Sequence, residues 1–191
     1  MKTDVRAKIL QAALALFAEV GFAKARSGDI CARAGISNGS LFHFFPTKEA
    51  IAVALYVEAV ASYQADLVAA LEAGRTPAAA LRAVVAAQCT WVTREERRAR
   101  FLFAQGTPDW HAGVAAEVAS LNAQFRRSIE SWRGGKAARA RLRPMPFEAF
   151  AAILLGPSLM AIRAWLRSGG PAPTGQARVF ADAAVRSLLK E

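Results

Sequence analysis

The sequence predicts an all-α protein. Beyond Pro77 every segment repeats its apolar residues at helical spacing, and no stretch sustains the alternation of a β-strand. Runs rich in glycine and proline separate these segments at 106–108, 134–135 and 169–173. With 191 residues, of which 54% are hydrophobic, the chain is long enough for a sizeable core and too apolar for disorder.

The first two helices are predicted from their ends. Apolar residues recur at helical spacing over residues 3–20, and Gly21 closes this helix. A second helix is predicted from Ser27 or Gly28 to Ala34, with Ser27 as its N-cap.

A glycine turn leads from the second helix into a third, very short one. Gly35 suits the left-handed conformation of a helix end. Ser37 is a good N-cap for a helix that begins at Asn38, because its hydroxyl oxygen accepts from the N–H of Gly39 or Ser40. Such an exposed helix start, with small polar groups, suits phosphates and base edges.

The third helix divides into an anchored face and an outward face. Leu41 and Phe45 are four residues apart and are expected in the core. The outward residues are expected to be Asn38, Ser40, Phe42 and His43.

Longer helices follow. Pro46 ends the third helix, Thr47 caps the next, and that helix is predicted to run from Lys48 to about Ala73. Five more are predicted at 77–94, 95–105, 110–133, 146–168 and 175–189. The basic stretch 136–146 between them is a loop or frayed helix end, interpreted as a solvated linker rather than a second nucleic-acid contact.

The last two predicted helices are unusually apolar: the second carries one apolar stripe, and the first is apolar on more than one face. A helix of this kind has to bury the surplus surface. Packing against the same pair of helices from a second subunit would do so, as a four-helix interface with two-fold symmetry.

Charge and composition restrict the class of protein. The net charge of +10 and the pI near 10.6 favour a polyanionic partner, either nucleic acid or an anionic membrane surface. The N-terminus lacks the apolar run of a signal peptide, and no uninterrupted apolar stretch of about 18 residues occurs. A soluble cytoplasmic protein without a membrane partner is therefore expected.

Signatures of catalysis are scarce. The two histidines, His43 and His111, lie far in sequence from any cysteine or paired carboxylate. Neither a nucleophile elbow nor a phosphate-binding glycine loop is present. Cys31 and Cys89 lack the spacing of a metal site or a disulfide framework, and Cys31 is interpreted as a small buried residue. We expect neither enzymatic activity nor a cofactor or metal.

Residues 5–50 resemble the DNA-binding domain of the TetR/AcrR repressors. The resemblance is carried by the end of the first helix, Phe17-Ala-Glu-Val-Gly21-Phe22, by Asp29-Ile30, and by Ala34-Gly-Ile-Ser-Asn-Gly-Ser-Leu-Phe-His-Phe-Phe-Pro-Thr-Lys-Glu-Ala50. It implies a helix-turn-helix domain over residues 1–47, whose reading helix enters the major groove. It also implies a larger helical domain over residues 48–191 that dimerises and binds a small-molecule effector.

Site residues for DNA follow from the resemblance and from side-chain chemistry. Lys48 is carried over from the family as a phosphate contact, and an asparagine amide suits adenine. Phe42 and Phe44 stand where the family commonly has polar aromatic residues; Phe42 contacts a thymine methyl or packs inward, and Phe44 is expected to pack. The predicted DNA-binding residues are Arg26, Ser27, Ser37, Asn38, Ser40, Phe42, His43 and Lys48.

The effector pocket is implied by the resemblance alone. Large apolar residues of the C-terminal half are its predicted lining, with ordinary core packing as the alternative for each. They are Trp91, Phe101, Phe103, Trp110, Phe125 and Met160, with Trp132 as a further candidate.

The sequence therefore predicts a ligand-responsive DNA-binding transcriptional regulator. In this interpretation it is a repressor that binds a near-palindromic operator as a homodimer through its last two helices and is released by a small molecule. One rival is a helical ligand-binding or scaffold protein that has lost specific DNA reading, suggested by Phe42 and Phe44. A second rival, an enzyme with a helical active site, is disfavoured by the shortage of histidines and paired carboxylates.

Overall fold

A computed structural model describes residues 2–104 and 113–190 of the chain, with the side chains of residues 4–103 and 113–190. The all-helical prediction is confirmed for this part of the chain. The structure divides into two compact units, one of residues 1–59 and 97–118 and the other of residues 60–96 and 119–191. Trp110 and His111 lie outside the described residues.

The first unit begins with three helices that end close to where the sequence predicts. They are α1 (Lys2–Val20), α2 (Ser27–Ala34) and α3 (Asn38–Phe44). The next helix, α4 (Lys48–Ala73), starts in this unit and continues past Ala59. Thr47 caps α4 as predicted, because its Oγ1 accepts from the N–H of Ala50 at 3.1 Å.

The core of the first unit lies where α1, α2, α3 and the start of α4 face one another. Ile9 and Phe17 of α1 are at most 2% exposed, as are Ile30 of α2 and Leu41 of α3. Phe45, which directly follows α3, is also buried. The two predicted anchors of the short third helix are therefore both in the core, and they hold its opposite face outward.

Residues 96–104 differ from the single predicted helix at 95–105. Glu95 leaves helical geometry, a short helix α6 (Glu96–Ala99) follows, and the wider turns of a π-helix then span Arg100–Ala104. Phe101 on this π-helix is buried in the core of the first unit. Helical periodicity alone did not predict the wider turn, which accompanies the insertion of this aromatic ring.

In the second unit α5 (Pro77–Arg94) is the most deeply buried helix and packs on the last two helices. The other helices of this part are α7 (Ala115–Gly134), α8 (Lys136–Arg141), α9 (Phe147–Ser168) and α10 (Ala177–Leu188). Helix α7 begins in the first unit. A 3₁₀ turn at Pro173–Gln176 precedes α10, so the predicted last helix starts two residues later than expected. Helix α9 is continuous through Pro157.

The basic stretch after α7 is more ordered than a frayed linker. Its first half forms α8, whose Ala138 is buried. Its next residues run beside the end of the chain: the Arg143 N–H donates to the Leu188 carbonyl, and the Lys190 N–H donates to the Arg141 carbonyl, both at 2.8 Å. Burial of Leu142, which pairs with Leu189 in an isolated antiparallel bridge, accounts for the order.

Candidate nucleic-acid interface

The turn between α2 and α3 has the geometry expected of a helix-turn-helix. Gly35 ends α2 at φ +66°, a left-handed conformation, and the Ile36 N–H donates to the Cys31 carbonyl at 3.1 Å. Ser37 is the N-cap of α3, because its Oγ accepts from the N–H of Ser40 at 3.1 Å. Both caps were predicted from the sequence, and together they fix the direction in which α3 leaves the turn.

The outward face of α3 carries the chemistry of the candidate interface. Ser37, Asn38 and His43 are exposed, and Ser40 is half-buried. Phe42 is 50% exposed, so its ring faces solvent rather than the core. Phe44 is half-buried against the core, as predicted. This face combines an amide, hydroxyls, an imidazole and one aromatic ring, which are groups suited to base edges, phosphates and a thymine methyl.

The start of α2 corrects one prediction. The N-cap is Arg26, whose side chain makes no capping hydrogen bond, and Ser27 is the first residue inside the helix. Ser27 therefore does not serve as the N-cap, because the helix starts one residue earlier than a serine cap requires. The Arg26 side chain is exposed, and its contact with a phosphate stays a prediction.

Lys48 lies in the first turn of α4, but its ammonium group faces the turn between α1 and α2. Its Nζ donates to the carbonyls of Phe22 at 2.8 Å, Ala25 at 3.0 Å and Ala23 at 3.4 Å. The same Nζ lies 4.4 Å from the centre of the Phe22 ring. The phosphate role carried over from the family stays a prediction, and no sequence pattern indicated these bonds.

Ion pairs hold the helices around the interface. Both guanidinium nitrogens Nη1 and Nη2 of Arg33 on α2 donate to the carboxylate of Glu19 on α1, each at 2.6 Å. The hydrogen bond from Arg33 holds the pKa of Glu19 below its usual value. Arg6 of α1 pairs with Glu58 of α4 at 2.6 Å, and its guanidinium carbon lies 5.6 Å from the centre of the Phe45 ring. The guanidinium group of Arg6 therefore forms its ion pair with a residue of the same unit.

The predicted effector residues that the structure describes are divided between the two units. Phe101 and Phe103 belong to the first unit, where Phe101 is buried and stacks on Phe17 with ring centres 6.0 Å apart. Trp91 and Phe125 belong to the second unit and are buried and half-buried respectively. Met160, also in the second unit, is 63% exposed, as expected of a residue on a surface rather than in an enclosed cavity.

Two open clefts lie on the second unit, and both involve Trp132. The first, of about 220 Å³, is lined by residues 74–77, Trp132 and residues 135–138. The second, of about 500 Å³, is lined by Glu72, Arg127, Ser128, Ser131 and Trp132. Trp132 lines both clefts, and the other predicted lining residues within the described part of the chain line neither.

A buried polar network in the second unit was not predicted from the sequence. The amide nitrogen of Gln88 donates to the Tyr63 hydroxyl at 2.9 Å, and the Ser158 hydroxyl donates to the Gln88 amide oxygen at 2.5 Å. The Trp91 indole N–H donates to the Ser62 hydroxyl at 3.1 Å. Gln88 and Ser158 are fully buried. The one sequence signal for this network was a glutamine inside the apolar run of α5, because a buried amide requires hydrogen-bond partners.

Both cysteines are buried, as predicted for Cys31. Burial raises the pKa of the Cys31 thiol, and it raises the pKa of Cys89 to about 11. Buried, protonated thiols are poor nucleophiles and metal ligands.

Comparisons with known proteins agree with this geometry. Residues 9–55 match the family model described as bacterial regulatory proteins, tetR family. The chain has no match among curated proteins.

Solved structures extend the likeness over the whole chain. A TetR family transcription regulator from Marinobacter aquaeolei VT8 is 15% identical, with a TM-score of 0.77 over 99% of this chain and 97% of the other. NalD, the secondary repressor of the MexAB-OprM multidrug efflux pump in Pseudomonas aeruginosa, is 19% identical, with a TM-score of 0.72 over 98% and 96%. FadR from Bacillus subtilis, in complex with stearoyl-CoA, is 13% identical, with a TM-score of 0.74 over 94% and 97%. At these identities the likeness shows the fold.

Proposed function

We propose that this chain, which has a TetR-type DNA-binding domain and the fold of TetR-family transcription regulators, is a ligand-responsive repressor that binds a near-palindromic operator as a homodimer. The observation that carries the proposal is the start of α3, where Ser37 caps the helix and Asn38 is exposed beside it. In this proposal residues 1–47 read DNA, and residues 48–191 bind the effector and dimerise.

The roles of the interface residues follow from their chemistry and exposure. The Asn38 amide makes a bidentate contact with an adenine edge, and the Phe42 ring contacts a thymine methyl group. The Ser37 oxygen caps α3 by accepting a hydrogen bond from the Ser40 N–H, and its O–H group donates a hydrogen bond to a phosphate. The remaining proposed contacts to phosphates or base edges come from Arg26, Ser27, Ser40 and His43.

A competition experiment tests DNA reading directly. Purified protein at near-physiological salt is bound to the intergenic DNA beside its own gene and competed with scrambled DNA of equal length. Salt matters because non-specific attraction to phosphates imitates recognition in dilute buffer. We expect the native fragment to be preferred by about a thousandfold or more. Equal binding of the native and scrambled fragments, together with no preferred fragment in a selection over genomic DNA, would contradict the proposal. That result would favour a protein that has lost specific DNA reading.

Homodimerisation is proposed through α9 and α10. By length and composition α4 and α9 could each cross a membrane, and in α9 only 28% of the most apolar stretch is buried. Helices α9 and α10 nevertheless pack into the core of a helical unit, as helices of soluble proteins do. Met160 of α9 and Val179 of α10 are 63% and 66% exposed. A second copy would cover this apolar surface in a cytoplasmic, soluble dimer.

The effector is proposed to be an apolar small molecule that binds among the helices of the second unit. In this proposal Trp91 and Phe125 would provide apolar walls and the Gln88 network a few polar groups, which is the usual composition of a ligand site. Release from DNA requires that the effector binds the non-reading conformation more tightly, since equal affinity shifts no equilibrium. The test is titration of the protein–DNA complex with stearoyl-CoA, the ligand in the FadR structure, and with apolar drugs. If none of these compounds releases the protein from DNA, the proposal of an apolar effector is contradicted.

A further inference from the structure

We propose that the second unit carries a basic surface that binds the phosphate backbone of double-stranded DNA without reading its sequence. This α8 surface consists of helix α8, the two residues that follow it, and the end of α10 with the residues that follow it. Its cations are Lys136, Arg139, Arg141, Arg143, Arg186 and Lys190. The reading helix α3 belongs to the first unit, so this inference goes beyond the proposed function and does not depend on it.

Most of the excess positive charge of the chain lies in the second unit. This unit has 15 arginines and lysines against eight acidic residues, which is a net charge of +7 out of the +10 of the whole chain. Residues 131–147 contain five of these cations, residues 183–190 contain two, and neither stretch contains an acidic residue. Helix α5, on which α8 packs, has no acidic residue either. A helix-turn-helix in the first unit therefore leaves this charge without a role.

Backbone pairing gives the α8 surface a fixed structure. Leu142 and Leu189 pair in the antiparallel bridge and are both buried, as is Ala138 of α8. Beside the bridge the Arg143 N–H donates to the Leu188 carbonyl at 2.8 Å. All six cations are exposed. The two basic segments thus lie side by side, with their apolar side chains in the core and their charges in solvent.

No carboxylate in the described part of the chain neutralises these charges. None of the six cations forms an ion pair there. The side chains of Arg143 and Lys190 donate only to carbonyls, those of Leu189 at 2.9 Å and Ala140 at 3.5 Å. Glu191, which adjoins Lys190 in sequence, lies outside the described residues. Other arginines of the same unit do pair with carboxylates, namely Arg82, Arg94 and Arg126.

The composition of the surface favours DNA over a membrane. Four of the six cations are arginines, whose planar guanidinium groups match phosphate oxygens. Duplex DNA presents about one negative charge per 1.7 Å of its axis, and contacts to its phosphates carry no sequence information. A surface that binds membranes also presents large apolar side chains. In the described part of the chain the exposed large apolar residues all lie outside the α8 surface: Val20, Phe42, Met160 and Val179.

Removal of three charges tests the proposal. One variant combines Lys136→Gln, Arg139→Gln and Arg141→Gln, because these side chains make no hydrogen bond or ion pair with the described residues. A matched control lowers the net charge equally, at arginines that are paired with carboxylates, and combines Arg82→Gln, Arg94→Gln and Arg126→Gln. The affinity of the wild type and of both variants for a scrambled duplex is measured across a series of salt concentrations.

We expect the α8-surface variant to bind the scrambled duplex at least tenfold more weakly than the wild type at near-physiological salt. The slope of log K against log salt should fall by about 2 to 3, because each phosphate contact contributes about 0.9. The control should bind as the wild type does. Wild-type binding by the α8-surface variant, or an equal loss in the control, would overturn the proposal.

A double variant, Arg139→Gln with Arg141→Gln, keeps the test decisive if the triple variant does not fold. Its slope should fall by about two, and an unchanged slope would overturn the proposal. Vesicles of phosphatidylserine and phosphatidylcholine test the other polyanion. If the variants lose vesicle binding but keep duplex binding, the surface binds membranes and the proposal is wrong. Absence of any preference for the native fragment would defeat the proposed function alone, because binding to scrambled DNA requires no reading.

Discussion

Ser37 has a structural role in capping α3 and, in our proposal, a second role in binding DNA through the same hydroxyl group. Its oxygen accepts from the Ser40 N–H at 3.1 Å, and its own proton remains to be donated. Ser37→Ala removes the cap, and we expect the free energy of unfolding to fall by about 1 kcal/mol, measured by denaturant titration.

Ser37→Asp separates the capping role of this residue from its proposed contact with a phosphate. Aspartate caps a helix as well as serine does, so stability should be retained. Its charge repels phosphates, so DNA binding should fall. An alanine variant as stable as the wild type would contradict the assignment of the cap.

Asn38 is the side chain to which we assign sequence reading. It is exposed beside the cap of α3, and an asparagine amide pairs with the N6 and N7 positions of adenine. We expect Asn38→Ala to cost about 1–3 kcal/mol against the preferred site and to change which sequences are selected from a randomised pool. Arg26→Ala is the control, because loss of its proposed phosphate contact should weaken binding to all sequences alike. An unchanged preference in Asn38→Ala would contradict this assignment.

Helix α2 contains one glycine near its start and is followed by another at its end, and the two have opposite roles. Gly35 is left-handed at φ +66°, and the position that a Cβ atom would occupy is open, so a side chain there meets backbone strain rather than a clash. Gly28 lies inside the helix and is also sterically open. We expect Gly35→Ala to lower the free energy of unfolding by about 1 kcal/mol or more and Gly28→Ala to leave it equal or raise it by up to about 1 kcal/mol. Thermal unfolding checks both; a Gly35→Ala variant as stable as Gly28→Ala would count against the left-handed cap.

The buried network between α5 and α9 gives a further prediction about helix packing. Ser158→Ala leaves the fully buried Gln88 amide oxygen without its 2.5 Å partner, which should cost about 1–3 kcal/mol of stability. Gln88→Leu combined with Ser158→Ala removes both polar partners, so the double variant should lose less than the sum of the single losses. A double-mutant cycle by denaturant unfolding measures this coupling, and strict additivity would refute it.

Local signals predicted the helices better than they predicted contacts distant in sequence. The Gly35 end, the Ser37 and Thr47 caps and the burial of Leu41 follow from chemistry within a few residues, and all were predicted correctly. The Lys48 bonds join residues more than 20 positions apart, so no spacing rule reveals them. The ring of Phe101 on the π-helix likewise stacks on a residue distant in sequence, Phe17.

The proposed dimer would cover two exposed apolar side chains, Met160 of α9 and Val179 of α10. Met160 is 63% exposed on α9, in a protein whose proposed operator has two half-sites. Two linked reading domains bind such a site with an effective concentration that separate domains lack. The oligomeric state and the DNA affinity should therefore change together.

Met160→Glu tests this link, with Val20→Glu as the control. Val20 is also an exposed apolar residue, at 44%, but it lies on α1 outside the proposed interface. By sedimentation we expect a wild-type dimer, a Met160→Glu protein that is helical but monomeric, and a Val20→Glu protein that stays dimeric. Affinity of Met160→Glu for the intergenic fragment should fall about a hundredfold or more, because the charge is desolvated at the interface and the second reading domain is lost. A Met160→Glu dimer as stable as the wild type would place the subunit contact elsewhere, since a carboxylate buried without a partner destabilises any interface that contains it.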